Sequence, residues 1–324
     1  MHQQAYPFRL WQPARLDEVQ VPAKASGTRR AVAIGNFDGA HRGHRALVEA
    51  ARQAVGPQGE VIALTFEPHP SRYFRPDAPH FRLVQPELRA HVLAGIGFDG
   101  ALVLPFDAAL AGMSASDFVD EVLVRHLAAD GVVVGADFHF GKARQGTPDF
   151  LREAGARHGF SVILVPQVRD EVGEVISSSA IRKALGEGDI ARANALLGRE
   201  YAVVGEVIHG AKRGRELGFP TANVALPEGF GLRHGVYAVR VTHQGCEYMG
   251  AANFGTRPQF DDGAPLLETY LLDFSGDLYG HAIEVAFAGF LRPEAKFDSL
   301  DALIAQMHRD CEKAREILSS GPRA

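Results

Sequence analysis

AVAIGNFDGAHRGH, residues 31–44, decides how the first half of the chain folds. A short apolar run of buried-strand character, 31–35, passes straight into a glycine-rich turn, and a helix signal starts directly behind it. Strand, tight turn and helix start in one run is the grammar of an anion site. The first N–H groups of the helix have no partner within it, and the dipole makes its tip positive. His41 and His44, three apart on the first helical turn, point toward the same bound group. A metal is the competing occupant, yet no third Cys or acidic ligand stands nearby to complete a site. The bland alternative is two surface histidines capping a helix. The HxGH spacing between flanking glycines favours phosphate chemistry.

The same grammar repeats outward from this stretch. Residues 61–66, 101–105, 132–135 and 162–165 read as further fully buried strands, too short for helices and rich in Val, Ile and Leu. Between them lie helical patterns: Ala46, Leu47, Ala50, Ala51 and Ala54, then Leu88, Val92 and Leu93. A third, Phe118, Val122, Leu123 and Leu127, follows a Ser/Asp-rich start suited to an N-cap. Alternation of this kind predicts a doubly wound, Rossmann-like α/β domain with a parallel sheet covered on both faces. The order of its strands is not readable. Two short helices, 178–186 and 189–197, follow.

After Gly198 the pattern changes. Residues 203–208, 236–242, 247–252, 267–273 and 283–291 read as strands separated by Gly, Pro and Asp turns. Leu300, Leu303, Ile304, Met307, Cys311, Ala314, Ile317 and Leu318 share one helical face. A small antiparallel β-barrel or sandwich with a C-terminal helix is expected here. The expected domains are 1–190 and 191–324.

Composition fits two ordinary folded domains: 324 residues, 46% hydrophobic and 23% charged. The net charge of −5, with both halves slightly acidic, argues against a nucleic-acid or membrane-surface partner. Cys246 and Cys311 form no CxxC pair and are read as reduced thiols. The opening MHQQAYPFRLWQPARL has no apolar leader core, and no run is long enough to cross a bilayer. A soluble cytoplasmic protein is expected, its oligomeric state unknown. GIGFDG, 95–100, matches a dinucleotide fingerprint by letter, but it follows a helix pattern and opens a strand, so it reads as a helix stop.

A second cluster, ISSSAIR (176–182), sets hydroxyls and an arginine at an expected helix start. Alone, a serine run there is usually an N-cap. Paired with HxGH in the same domain, it points to a polyphosphate.

Together these residues carry a family resemblance. GNFDGAHRGH, FEPHP (66–70), GADFHFG (135–141) and ISSSAIRKALGEGDIARANALLGR (176–199) resemble the adenylyltransferase half of bacterial bifunctional riboflavin kinase/FAD synthetases. HGAKRGRELGFPTANV (209–224), GVYAVRV (235–241), NFGTRPQF (253–260), LETYLLDFSGDLYG (267–280) and the last helix resemble the kinase half. The resemblance implies that the second domain makes FMN from riboflavin and ATP, and that the first makes FAD and pyrophosphate from FMN and ATP. ATP is then a co-substrate, with Mg²⁺ expected at both sites and riboflavin, FMN and ATP as the partners.

It also implies residue roles. His41 and His44 stabilise the adenylyl-transfer transition state. Gly35, Asn36, Phe37, Gly39, Ser178, Ser179 and Arg182 hold ATP. Phe66, Pro68, His69, Asp137 and Phe138 shape the flavin side, although core packing is the plain reading of the two phenylalanines. In the kinase half Glu268 is the catalytic carboxylate; pattern alone would make it a solvent-facing strand residue. Gly210, Gly214, Gly218, Pro220 and Asn253 serve ATP there, with Thr221 and Asn223 on Mg²⁺.

The chain departs from the family pattern at Ser179 (usually Thr), Gln259 (usually Thr) and Tyr270 (commonly His). The last two lie near the kinase site and leave open a flavin-binding sensor with a decayed kinase half. A relative of class I aminoacyl-tRNA synthetases, which also carry HxGH, is the other alternative; the acidic charge argues against it.

Overall fold

A computed structural model describes residues 8–78, 81–209, 219–227, 229–256 and 265–320. Contacts divide the chain into one unit of Met1–His80 with Leu88–Ile176, and a second of Phe81–Glu87 with Ser177–Ala324.

The first unit is built on β1 (Arg9–Trp11), β2 (Arg30–Ile34), β3 (Glu60–Glu67), β4 (Gly100–Pro105), β5 (Gly131–Gly135) and β6 (Ser161–Val165). They form one parallel sheet in the order β1-β4-β3-β2-β5-β6. All of β2 is buried, as an Ala/Val/Ile run covered on both faces must be, whereas 162–165 in β6 is only half-buried, because that strand lies at the sheet edge. Helices α1 (Arg42–Val55), α2 (Pro70–Phe74), α3 (Pro86–Gly95), α4 (Ala108–Gly112), α5 (Ala115–Asp117) and α6 (Pro148–His158) accompany it. α5 runs on as a π-helical stretch, Phe118–His126, where Leu127 N–H reaches back five residues to Val122 O at 3.1 Å. GIGFDG ends α3 and opens β4, as expected for a helix stop.

The edge strand β1 had no sequence signal, since three residues show no period. Its place depends on Gly100, where a Cβ would lie 2.7 Å from the Arg9 carbonyl oxygen. At the amino end of the sheet Arg30 is 1% exposed, and its guanidinium is matched by Glu60, Leu127 O and Pro22 O. A buried cation so fully partnered is a structural feature.

The second unit contains α7 (Ser178–Glu187), α8 (Ile190–Leu197), β7 (Tyr201–Ile208), β8 (Thr221–Ala225), β9 (Gly235–His243), β10 (Cys246–Thr256), β11 (Pro265–Leu271), β12 (Ala282–Arg292) and α9 (Leu300–Ser320). Its strands close into an antiparallel barrel, β10-β11-β8-β7-β12-β9, so a barrel and not a sandwich is formed. Val203, Val224, Val239, Phe254, Leu267 and Phe287 fill it and are fully buried. α9 lies on the outside, with Ala314 and Leu318 against Val236, Ala238, Ala251 and Leu291. Arg292 clamps it by a bidentate pair to the buried Asp310, Nη2 to Oδ2 at 2.8 Å.

β8 is not among the strands expected above; it is held by pairing with β11 and β7 on its two sides. Gln85 carries no local signal either. Its amide donates to Val204 O at 2.9 Å and accepts from Val204 N–H at 2.7 Å, acting as a one-residue strand on β7.

Candidate active sites

In the first unit the chain leaves β2, fills β3 and β4 on one side, and returns to β5 on the other. The carboxyl end of β2 is therefore the topological switch point, where open α/β sheets bind ligands. Because the strands are parallel, the loops after β2, β3 and β5 all open at that edge. These loops carry Gly35, Asn36, Phe37 and Gly39, then Pro68 and His69 beyond Phe66, then Asp137 and Phe138. Residues a hundred apart in sequence thus share one edge.

The turn after β2 is tightly specified. Thr65 Oγ1, on the neighbouring strand, donates to the Asn36 carbonyl at 3.1 Å. Gly39 adopts φ +91°, and Phe37 and Ala40 also lie in the left-handed region at +48° and +42°. Phe37 is 4% exposed, its ring edge-on to His44 and Phe98, each at 5.1 Å. Thr65 is 3% exposed, and its only mark in the sequence is a hydroxyl within the apolar run 61–66.

His41 caps α1 and is itself buried rather than on the surface. Its ring stacks on that of His44 with centroids 3.7 Å apart. The His41 backbone N–H donates to His44 Nδ1 at 3.2 Å, so a neutral His44 carries its proton on Nε2. Burial, and next the neighbouring His41, hold the His44 pKa well below the usual imidazole range. His44 is thus a neutral donor near pH 7. Gly43 leaves room for this arrangement: a Cβ would stand 3.0 Å from His41 Nδ1 and 3.4 Å from the Ile176 carbonyl oxygen, so a larger residue would have to displace the His41 ring by a few tenths of an ångström.

Among the residues expected on the flavin side, His69 caps α2, its Nδ1 accepting from Ser71 N–H at 3.1 Å. Phe66 packs partly buried against the core and Phe106; Phe138 stacks on buried Phe140 at 5.6 Å. Asp137 is exposed. Ser178, Ser179 and Arg182 lie at the start of α7, in the second unit. The capping role in the serine run belongs to Ser177, whose Oγ accepts from Ala180 N–H at 3.2 Å. Arg182 Nε donates to Phe81 O at 2.6 Å.

In the barrel, register brings three of the expected residues into one row. Glu268 of β11 is opposite Asn223 of β8 on one side and Asn253 of β10 on the other. Directly paired residues face the same way. The next row, Val224, Leu267 and Phe254, fills the barrel, so the Glu268 row faces outward. Asn223 is 4% exposed and its Oδ1 has no hydrogen-bond partner among the described residues. A dehydrated amide oxygen beside a carboxylate fits a hard cation that keeps most of its water, and Mg²⁺ is such an ion. Thr221, two residues before Asn223, shares its face and accepts Asn223 Nδ2 on its carbonyl at 3.3 Å.

Tyr270 packs edge-on to Phe219 at 5.1 Å, and Phe219 to His308 of α9 at 5.0 Å. The departure at 270 is therefore absorbed in an aromatic chain beside the row. Pro220 immediately precedes β8. Gly210, Gly214, Gly218 and Gln259 lie outside the described residues. Among the described residues no three His, Cys, Asp or Glu side chains form a metal cluster, and no helix is long and apolar enough to cross a membrane.

Comparison with known proteins bears on both sites. Residues 23–180 match the family described as FAD synthetase, and residues 197–318 the family described as riboflavin kinase. The bifunctional riboflavin kinase/FMN adenylyltransferase of Escherichia coli (strain K12) is 41% identical over 285 residues, covering 87% of this chain and 91% of the relative. The enzymes of that description from Pseudomonas fluorescens and Haemophilus influenzae are 41% and 39% identical, over 88% and 90% of this chain and 91% and 94% of theirs. A crystal structure described as a macrolide-efflux protein from Streptococcus pneumoniae superposes with a TM-score of 0.83 at 30% identity, covering 94% of this chain and 98% of that one. With both family matches in order and close relatives spanning most of its length, the chain belongs to the family of bifunctional riboflavin kinase/FMN adenylyltransferases.

Proposed function

We propose that the two activities of this family reside on separate platforms: adenylyl transfer at the carboxyl edge of the parallel sheet (domain 1–190), and riboflavin phosphorylation on the outward Asn253–Glu268–Asn223 row (domain 191–324). The observation that carries this reading is that chain topology gathers the turn after β2 with the loops after β3 and β5, while barrel register separately gathers Glu268 with two amides.

Adenylyl transfer uses the FMN phosphate as nucleophile. Its second ionisation lies near pH ~6, so it is already an anion at neutral pH and needs no base. One FMN phosphate oxygen bonds to the α-phosphorus of ATP, the α–β bridging bond breaks, and pyrophosphate leaves. The protein has to align the two anions and neutralise charge as it develops. A neutral His44 donating from Nε2, stacked on His41 at the positive end of α1, suits that task. The turn of Gly35, Asn36 and Gly39 offers backbone N–H groups to ATP, and Phe37 serves from its backbone, since its ring is buried. Ser178, Ser179 and Arg182 remain assigned to ATP on the family resemblance. Phe66, Pro68, His69, Asp137 and Phe138 are assigned to the flavin side on the family resemblance.

Riboflavin phosphorylation starts from a primary hydroxyl that is protonated at neutral pH. Glu268 accepts that proton as the oxygen bonds to the γ-phosphorus and ADP departs. Asn223 and Thr221 would hold Mg²⁺, which would supply neutralisation of charge on the phosphates, and Asn253 borders ATP with Pro220. Mg²⁺ is expected in the first unit as well, where it would neutralise charge on the ATP phosphates. Riboflavin, FMN and ATP are the partners, and a cytoplasmic enzyme is the setting that matches them.

The test is separability. His44→Ala in the full chain should make FMN from riboflavin and stop there, whereas Glu268→Gln should make FAD only when FMN is supplied. Loss of both activities in both variants would refute separate platforms.

A further inference from the structure

The hairpin after β6 makes a charge contact that neither reaction accounts for. Residues 168–176 fold back on themselves: Ile176 N–H donates to Val168 O at 2.9 Å and Asp170 N–H to Glu174 O at 2.9 Å. The Asp170 carboxylate accepts from Val172 and Glu174 N–H at 3.0 and 2.9 Å. At its tip Glu171, 73% exposed, reaches the guanidinium of Arg42, Oε1 to Nη2 at 3.0 Å. Arg42 is the first residue of α1, between His41 and Gly43, and the hairpin ends at Ile176, whose carbonyl borders Gly43. The contact to Arg42 holds the Glu171 carboxyl below its usual range, so it is an anion at neutral pH.

We propose that Glu171 is a resident anion standing where the polyphosphate of ATP will bind: Arg42 is a binding residue for that polyphosphate, and Glu171 a positioning residue that holds its guanidinium beside the tip of α1 until the nucleotide replaces it. This rests on the placement of adenylyl transfer at that tip. An exposed carboxylate–arginine pair is weak and screened by salt. A polyphosphate brings several charges, accepts from a guanidinium in bidentate fashion, and also gains the helix end. Exchange therefore runs toward the nucleotide. It requires no unfolding, because the hairpin is held by its backbone, by Asp170 and by Arg169, whose Nη1 donates to Gly173 O at 2.7 Å, and none of these ties uses the Glu171–Arg42 contact.

The experiment is steady-state FAD formation by the full chain from supplied FMN, with ATP varied. Riboflavin phosphorylation on the same preparations reports folding. Arg42→Ala should raise KM for ATP about tenfold with kcat within about threefold, and Arg42→Lys should recover part of the loss. Glu171→Gln should lower KM about twofold, an effect that vanishes in the Arg42→Ala background. An unchanged KM in Arg42→Ala, or a KM in Glu171→Gln that is unchanged or raised, overturns the proposal. His44→Ala separates the two readings. If it abolishes FAD formation while Arg42→Ala leaves KM unchanged, only the exchange fails; if it still makes FAD at the normal rate, the site placement fails with it.

Discussion

Replacing Gly43 by alanine isolates catalytic geometry from stability. The new Cβ would stand 3.0 and 3.1 Å from Nδ1 and Cε1 of His41, and 3.4 Å from the Ile176 carbonyl oxygen. That is tight enough to demand a shift of a few tenths of an ångström. The His41 ring is 6% exposed and stacked on His44, so it cannot simply swing into solvent. Against that strain, alanine gains up to about 0.5–1 kcal/mol over glycine inside a helix, less in a first turn. The two effects oppose, and the net stability change should stay within about 1 kcal/mol. Catalysis is less forgiving. A misplacement of 1 Å can cost about 10²-fold, so a few tenths should cost about five- to tenfold in FAD formation, or ~1–1.4 kcal/mol of transition-state stabilisation. FMN-fed turnover followed by chromatography reads this, with riboflavin phosphorylation as the internal control. A normal rate of FAD formation in a folded Gly43→Ala protein would refute the role given to the His41–His44 stack.

Other outcomes follow from the same geometry. Folded His44 resists the proton that an unfolded imidazole takes up below about pH 6.5, so stability should fall as pH drops through that value. His44→Asn should flatten that part of the acid limb in urea titrations; identical slopes would contradict the burial argument. Glu268→Gln should slow riboflavin phosphorylation by about 10²–10⁴-fold while FMN-fed adenylylation continues, and a loss under tenfold would remove Glu268 as the proton acceptor. Asp310→Ala strips the bidentate partner from Arg292 and should destabilise the barrel and α9 by about 3 kcal/mol, read as a lowered urea midpoint. Cys246 is exposed, whereas burial pushes the Cys311 thiol up to about 11, so a thiol reagent at pH 8 should label Cys246 first.

Buried strands and the turn at 35–44 were legible because their signals are local. Val- and Ala-rich runs such as 31–35 and 132–135 have no plausible place except the inside of a covered sheet, and the helix behind Gly35 starts where the turn ends. What escaped was non-local. β1 depends on a missing Cβ at Gly100, ninety residues away; β8 depends on neighbours β7 and β11; and Gln85 serves the backbone of Val204 across 119 residues. The same limit applied to the sites. Sequence singled out His41, His44 and Glu268, but not Thr65 under Asn36 or Arg42 against Glu171. The family resemblance names Asn253, Glu268 and Asn223 without showing that they stand side by side, because barrel register has no imprint in a single strand.

The most direct test of two separate platforms in one chain is a chromatographic time course of flavins, starting from riboflavin, ATP and Mg²⁺, for the unaltered chain and for His44→Ala. The account predicts that FMN rises and then drains into FAD in the former, while FMN rises at the same initial rate and persists without FAD in the latter. A His44→Ala chain that either makes FAD at the normal rate or fails to make FMN would contradict it.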